Sequence, residues 1–81
     1  DTKASGLLQL GKILNIPPEQ ILVFGDGDND IEMFVTFENS VCMANGTNKA
    51  KILSKYVTTK NNNNSGVAEG INYYINGGGK K

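Results

Sequence analysis

Within five residues the chain sets three carboxylates, Asp26, Asp28 and Asp30, separated only by Gly27 and Asn29. Carboxylates this close repel one another unless a positive group sits among them, and a hard divalent cation is the usual answer. The apolar run at residues 21–24 leads directly into this loop, and a helix-like pattern follows it. In an α/β fold that junction, at the carboxyl end of a strand, is where ligands bind. Asp26 from the strand end and Asp30 from the first helical turn would point at one place. Mg²⁺ suits that arrangement, with phosphate oxygens completing its shell. Gly25 and Gly27 would let the backbone turn sharply and approach a ligand closely. Metal and helix terminus together would offset the charge of a phosphoryl group in transfer.

Simpler uses compete for the same residues. Asp28 or Asn29 could cap the following helix, and for Asp28 the capping role is the expected one. Asp26, Asp28 and Asp30 also fall at the first, third and fifth positions of a calcium-binding loop pattern. That pattern needs Gly at residue 31 and Glu at residue 37, where this chain has Ile31 and Phe37, so calcium is disfavoured.

The elements that must position the loop follow from the apolar spacing. Leu7, Leu10 and Leu14, widened by Leu8 and Ile13, predict an amphipathic helix over residues 3–15. Gly6 and Gly11 weaken it, and Pro17 and Pro18 end it near Asn15. Residues 21–24 read as a buried parallel strand. Ile31, Phe34 and Val35 give a second helix ending between residues 37 and 39, and residues 41–44 a second strand, followed by an Asn45-Gly46 turn. A helix over residues 48–54 and a strand at 56–58 come next. The asparagines at 61–64 read as a solvated loop, with Ser65 capping a last helix that carries Val67, Ala68, Ile71, Tyr74 and Ile75. Alternating helices and strands argue for a parallel, three-layer α/β sandwich. Three strands leave open edges, so further strands are expected elsewhere in a longer chain.

Composition narrows the function classes. Eighty-one residues at 38% apolar content make one small domain of zero net charge. The charges are segregated: residues 1–38 hold seven acidic side chains against two lysines, residues 39–81 one against six. The basic half has no arginine and no aromatic interleaving, which disfavours a nucleic-acid surface. No apolar run approaches membrane-spanning length, and residues 1–5 show no targeting character. The lone Cys42, inside an apolar run, reads as a core thiol in a reducing compartment, and the cytoplasm is the expected location.

The string Gly25-Asp26-Gly27-Asp28-Asn29-Asp30-Ile31-Glu32-Met33 resembles the fourth motif of the haloacid dehalogenase-like superfamily. Val41-Cys42-Met43-Ala44-Asn45-Gly46, Lys51, Tyr56-Val57-Thr58 and Ser65-Gly66-Val67-Ala68 are similar to the C-terminal core of its Cof-type, sugar-phosphatase-like subgroup. Lys3 matches the lysine of the third motif, although Ala4 stands where many relatives have Gly. P-type ATPases share the Gly-Asp-Gly-x-Asn-Asp string but follow it with Ala-Pro-x-Leu; Ile31-Glu32-Met33-Phe34 here favours the Cof-type likeness.

The resemblance implies a Rossmann-like core and roles for single residues. Asp26 would ligate Mg²⁺, and Asp30 would ligate it or hold a water bound to it. Asn29 would orient phosphate or metal. Lys3 would neutralise charge on the phosphoryl group and on an aspartate nucleophile. That nucleophile belongs to a first motif, Asp-x-Asp-Gly-Thr, which this chain lacks, as it lacks a placeable second motif and a cap domain. Residues 1–76 are therefore expected to be the C-terminal part of the core of a Mg²⁺-dependent phosphatase, with a mobile tail at 77–81. Its partners would be a small phosphorylated metabolite and the rest of the parent chain. The competing expectation is a non-catalytic remnant or interaction module of the same fold.

Overall fold

Threonine side chains set where two of the helices begin. The computed structural model describes residues 2–60 and 63–77. Helix α1 (Lys3–Leu14) opens on a capping box, in which the Ser5 N–H donates to Thr2 Oγ1 and the Thr2 N–H donates to Ser5 Oγ. Two of the helix's otherwise orphaned donors are thereby satisfied. Asn15 ends it in the left-handed region at φ 60, a conformation asparagine tolerates better than most residues. Pro17 and Pro18 then prevent any continuation.

The strands are short and all parallel, in the order β1 (Val23–Gly25), β2 (Ser40–Cys42), β3 (Tyr56–Val57). Val23 pairs with Ser40, Phe24 with Val41 and Gly25 with Cys42, while Val41 and Cys42 pair with Tyr56 and Val57. Helices α2 (Ile31–Thr36) and α3 (Asn48–Leu53) make the two crossovers, and α4 (Asn63–Ile75) follows β3. Paired residues share a face of the sheet, so the register assigns the layers. Val23, Cys42 and Val57 pack with Ala4 of α1, Met33 and Phe34 of α2, Phe37, and Ala50 of α3. Phe24, Val41 and Tyr56 face α4: Tyr56 stacks on Tyr73 with ring centroids 4.1 Å apart, and Gly70 lies against Phe24 and Val41. The result is the expected parallel three-layer α/β arrangement. Phe37 is fully buried at the centre of the first layer, where burial of its ring contributes about 2–3 kcal/mol.

Several helix faces differ from the apolar spacing. In α1 the buried residues are Ala4 and Gly11, with Leu7 and Leu8 beside them, while Leu10, Ile13 and Leu14 are exposed. In α2 Met33 replaces Val35 on the inner face, and Val35 is 68% exposed. In α4 Gly66 and Gly70 are buried, while Val67 and Ile71 are exposed. Small residues let a helix approach a sheet closely, so the closest contacts fall where the sequence looks least hydrophobic. Ser65 is not the cap of α4 but lies inside it, because the helix already includes Asn63 and Asn64. Asn61, Asn62 and residues 78–81 lie outside the described residues. Among those described, no helix is long and apolar enough to cross a membrane.

Candidate active-site loop

The carboxylate loop leaves β1 at Gly25 and enters a short 3₁₀ turn, Asp28–Asp30, that runs into α2. Asp30 organises it. Its Oδ2 accepts hydrogen bonds from the backbone N–H groups of Asp26 (3.0 Å) and Gly27 (3.2 Å). Its Oδ1 lies 3.7 Å from Lys3 Nζ at the start of α1. The carboxylate can be buried, at 8% residue exposure, because donors on both sides replace water. A side chain at residue 25 would place its Cβ 2.6 Å from Asp30 Cγ. Gly25 is therefore needed for this inward carboxylate, a reason beyond a sharp turn.

Asp28 does not cap α2 as expected. The N-cap position of α2 is Asp30, and the turn is closed by Asp30 reaching back to the Gly27 N–H. Asp28 Oδ1 instead accepts a hydrogen bond from the hydroxyl of Thr47, 2.8 Å away across the crossover. Thr47 caps α3 through its own side chain, which accepts from the Ala50 N–H at 3.2 Å. Its backbone N–H donates to the carbonyl oxygen of Asp26 at 2.9 Å. Thr47 was not among the residues expected to act here. The available signal was a capping-type residue placed directly after the Asn45-Gly46 turn.

Both peptide groups of Asp26 are thus fixed, its N–H by Asp30 and its carbonyl by Thr47, while its carboxylate is exposed and has no hydrogen-bond partner among the described residues. Asn29 is exposed in the middle of the turn. Lys3, Asp26, Asn29 and Asp30 are held in one neighbourhood, with direct contact established for the Lys3–Asp30 pair. Lys3 is 67% exposed along its side chain, so this pair alone stabilises the fold little.

The donor set can be tested against a cation. Every free donor at the loop is a hard oxygen, which suits Mg²⁺ and disfavours soft metals. No group of three or more His, Cys, Asp or Glu among the described residues could hold a metal by itself. Mg²⁺ is commonly bound by one or two carboxylates, with phosphate and water supplying the rest, so Asp26 with Asp30 behind it fits that mode. The nearby Cys42 is fully buried. Its thiol pKa is raised, chiefly by burial and further by Asp26 and Asp30, with Lys51 opposing. A protonated, enclosed thiol is a packing group, as its sequence context suggested. Clefts of about 370 and 490 Å³, beside Ile16 and Tyr74 respectively, are not lined by any residue of this loop.

Known proteins resemble this chain in sequence and fold. Residues 1–71 match the model of the haloacid dehalogenase-like hydrolase family. The chain is 41% identical over 69 residues to the 5-amino-6-(5-phospho-D-ribitylamino)uracil phosphatase YbjI of Escherichia coli, covering 85% of this chain and 25% of that protein. It is 37% identical over 73 residues to the phosphatase YitU of Bacillus subtilis, named for the same substrate, covering 90% and 27%. A haloacid dehalogenase-like hydrolase from Bacteroides thetaiotaomicron superposes with a TM-score of 0.81 at 32% identity, covering 90% of this chain and 27% of that one. The chain spans about a quarter of the length of the curated relatives it matches. It belongs to the haloacid dehalogenase-like hydrolase family, and its likeness is to the Cof-type members.

Proposed function

We propose that residues 1–76 are the C-terminal part of the core domain of a Mg²⁺-dependent phosphatase that hydrolyses small phosphate monoesters in the cytoplasm. The observation that carries this reading is the state of Asp26. Its backbone is fixed on both sides while its carboxylate, at the carboxyl edge of the sheet, is left exposed and without a hydrogen-bond partner among the described residues. A carboxylate held in that way is pre-organised for a cation that arrives with its substrate. Mg²⁺, when bound, would supply charge neutralisation for the phosphoryl group. Asp26 would be its protein ligand. Asp30 would hold the loop and offer its second oxygen to the same site, and Asn29 would orient a phosphate oxygen. The Lys3 ammonium would meet the developing negative charge as a point charge.

The nucleophile, an aspartate that becomes aspartyl-phosphate, would lie outside residues 1–81, as would the cap that selects substrate. The phosphate ester named for the Escherichia coli and Bacillus subtilis relatives supports a small phosphorylated metabolite as the substrate class. The test is hydrolysis of p-nitrophenyl phosphate by the full-length gene product, with Mg²⁺ and with chelator. Turnover that needs Mg²⁺, and its absence from residues 1–81 alone, are expected. Turnover by residues 1–81 that Asp26→Asn abolishes would refute the placement of the nucleophile elsewhere. A full-length protein with no Asp-x-Asp motif upstream and no turnover would leave the non-catalytic module as the reading.

A further inference from the structure

Asp28 has no part in the proposed chemistry, yet it makes the most specific long-range side-chain contact of the loop. Its Oδ1 receives the Thr47 hydroxyl at 2.8 Å, across nineteen residues of sequence. The same threonine donates its backbone N–H to the Asp26 carbonyl at 2.9 Å and caps α3. Gly46, immediately before it, is seated hard against the loop: a Cβ there would lie 2.9 Å from the Asp26 carbonyl oxygen and 2.5 Å from Cys42 Sγ. The start of α3 and the carboxylate loop therefore meet with no slack between them.

We infer that Thr47, through its bond to Asp28, is a positioning residue for the cation carboxylate of Asp26. The inference rests on the Mg²⁺-site reading of Asp26 given above. Asp30 fixes the Asp26 N–H from within the loop, and Thr47 fixes the carbonyl from the next crossover. The Thr47–Asp28 bond stops the 3₁₀ turn from sliding past α3, which would rotate the Asp26 side chain. A hydrogen bond from a hydroxyl to a carboxylate is among the stronger kinds, but both partners are exposed. Its loss should weaken Mg²⁺ binding about three- to ten-fold and leave the fold intact.

The decisive substitutions separate this tie from helix capping. Asp28→Ala removes the acceptor and does not touch the α3 cap. Thr47→Asp keeps a good cap but sets a carboxylate against Asp28. Thr47→Ser retains both bonds. In the full-length protein, hydrogen exchange in Mg²⁺-free buffer should quicken in peptides covering residues 25–30 and 44–50 for Asp28→Ala and Thr47→Asp. The Mg²⁺ midpoint, read by titration calorimetry, should rise in both, and Thr47→Ser should restore both readouts. Unchanged exchange in Asp28→Ala, or wild-type behaviour in Thr47→Asp, would reduce Thr47 to a helix cap and overturn the inference. Wild-type protein that binds no Mg²⁺ while Asp28→Ala still quickens exchange would instead refute the cation reading and leave the tie standing.

Discussion

Replacing Asp30 should cost fold stability, and replacing Asp26 should not, although both are acids of one loop. Asp30 is 8% exposed and accepts two backbone N–H groups through Oδ2. Hydrogen bonds to a charged acceptor contribute about 1.5–3 kcal/mol each. The Asp26 and Gly27 amides lie in a partly open loop, so water can replace the lost partner and the lower figure applies. The exposed Lys3 adds a few tenths at most. Asp30→Ala should therefore destabilise by about 3 kcal/mol, and Asp30→Asn, which keeps an oxygen acceptor, by about 1–2 kcal/mol. In a domain of this size each kcal/mol shifts the Tm by about 4–8 °C, so Asp30→Ala should melt about 12–24 °C lower. Asp26→Asn removes a carboxylate with no hydrogen-bond partner among the described residues and should stay within about 0.5 kcal/mol of wild type. Urea unfolding followed by circular dichroism reads all three. Equal stability of Asp30→Asn and wild type, or equal losses at Asp26 and Asp30, would refute the division of labour between a brace and a presented ligand.

Other parts of the fold give independent expectations. Gly70→Ala gains about 1 kcal/mol of helix propensity, but its Cβ would lie 2.8 Å from the Phe24 ring and 3.1 Å from Val41. Overpacking of about 1–3 kcal/mol should win, and a thermal melt should show net loss. Glu69 accepts from the Tyr56 hydroxyl and from Thr59, and its pKa is lowered chiefly by the Tyr56 bond. The stability it adds is present above its unfolded-state pKa and lost as pH falls through the lower folded value, so Tm in mild acid should fall less for Glu69→Gln than for wild type. Cys42, buried and with a raised pKa, should react with iodoacetamide only on unfolding, and rapid labelling of native protein would contradict its packing role.

How much of this could be read from the residues differs by level. The parallel α/β order was legible because Val23-Phe24 of β1 and Val41-Cys42 of β2 lie in short apolar runs, and Pro17, Pro18 and Asn45-Gly46 punctuate the chain. The loop was legible because three acids in five residues demand an explanation. The helix faces were not. Leu10, Ile13 and Leu14 are the larger apolar side chains, yet Ala4 and Gly11 take the inner face. In α4 the same happens at Gly66 and Gly70. Periodicity weighs side chains by hydrophobicity, whereas close helix–sheet packing selects them by size. The role of Asp28 was misread for a related reason. A local cap is the cheapest guess for an acid before a helix, and its actual partner, Thr47, lies nineteen residues away.

The role of Asp26 is tested most directly by Mg²⁺-dependent phosphate release from p-nitrophenyl phosphate by the full-length protein, compared across Asp26→Asn and Asp28→Asn. Circular dichroism should first show both variants folded. Asp26→Asn should abolish turnover at any Mg²⁺ concentration, since the presented ligand is gone. Asp28→Asn, which disturbs only the tie to Thr47, should retain turnover and need more Mg²⁺ to reach it. Equal losses in the two variants, or an active Asp26→Asn protein, would contradict the assignment of Asp26 as the cation carboxylate.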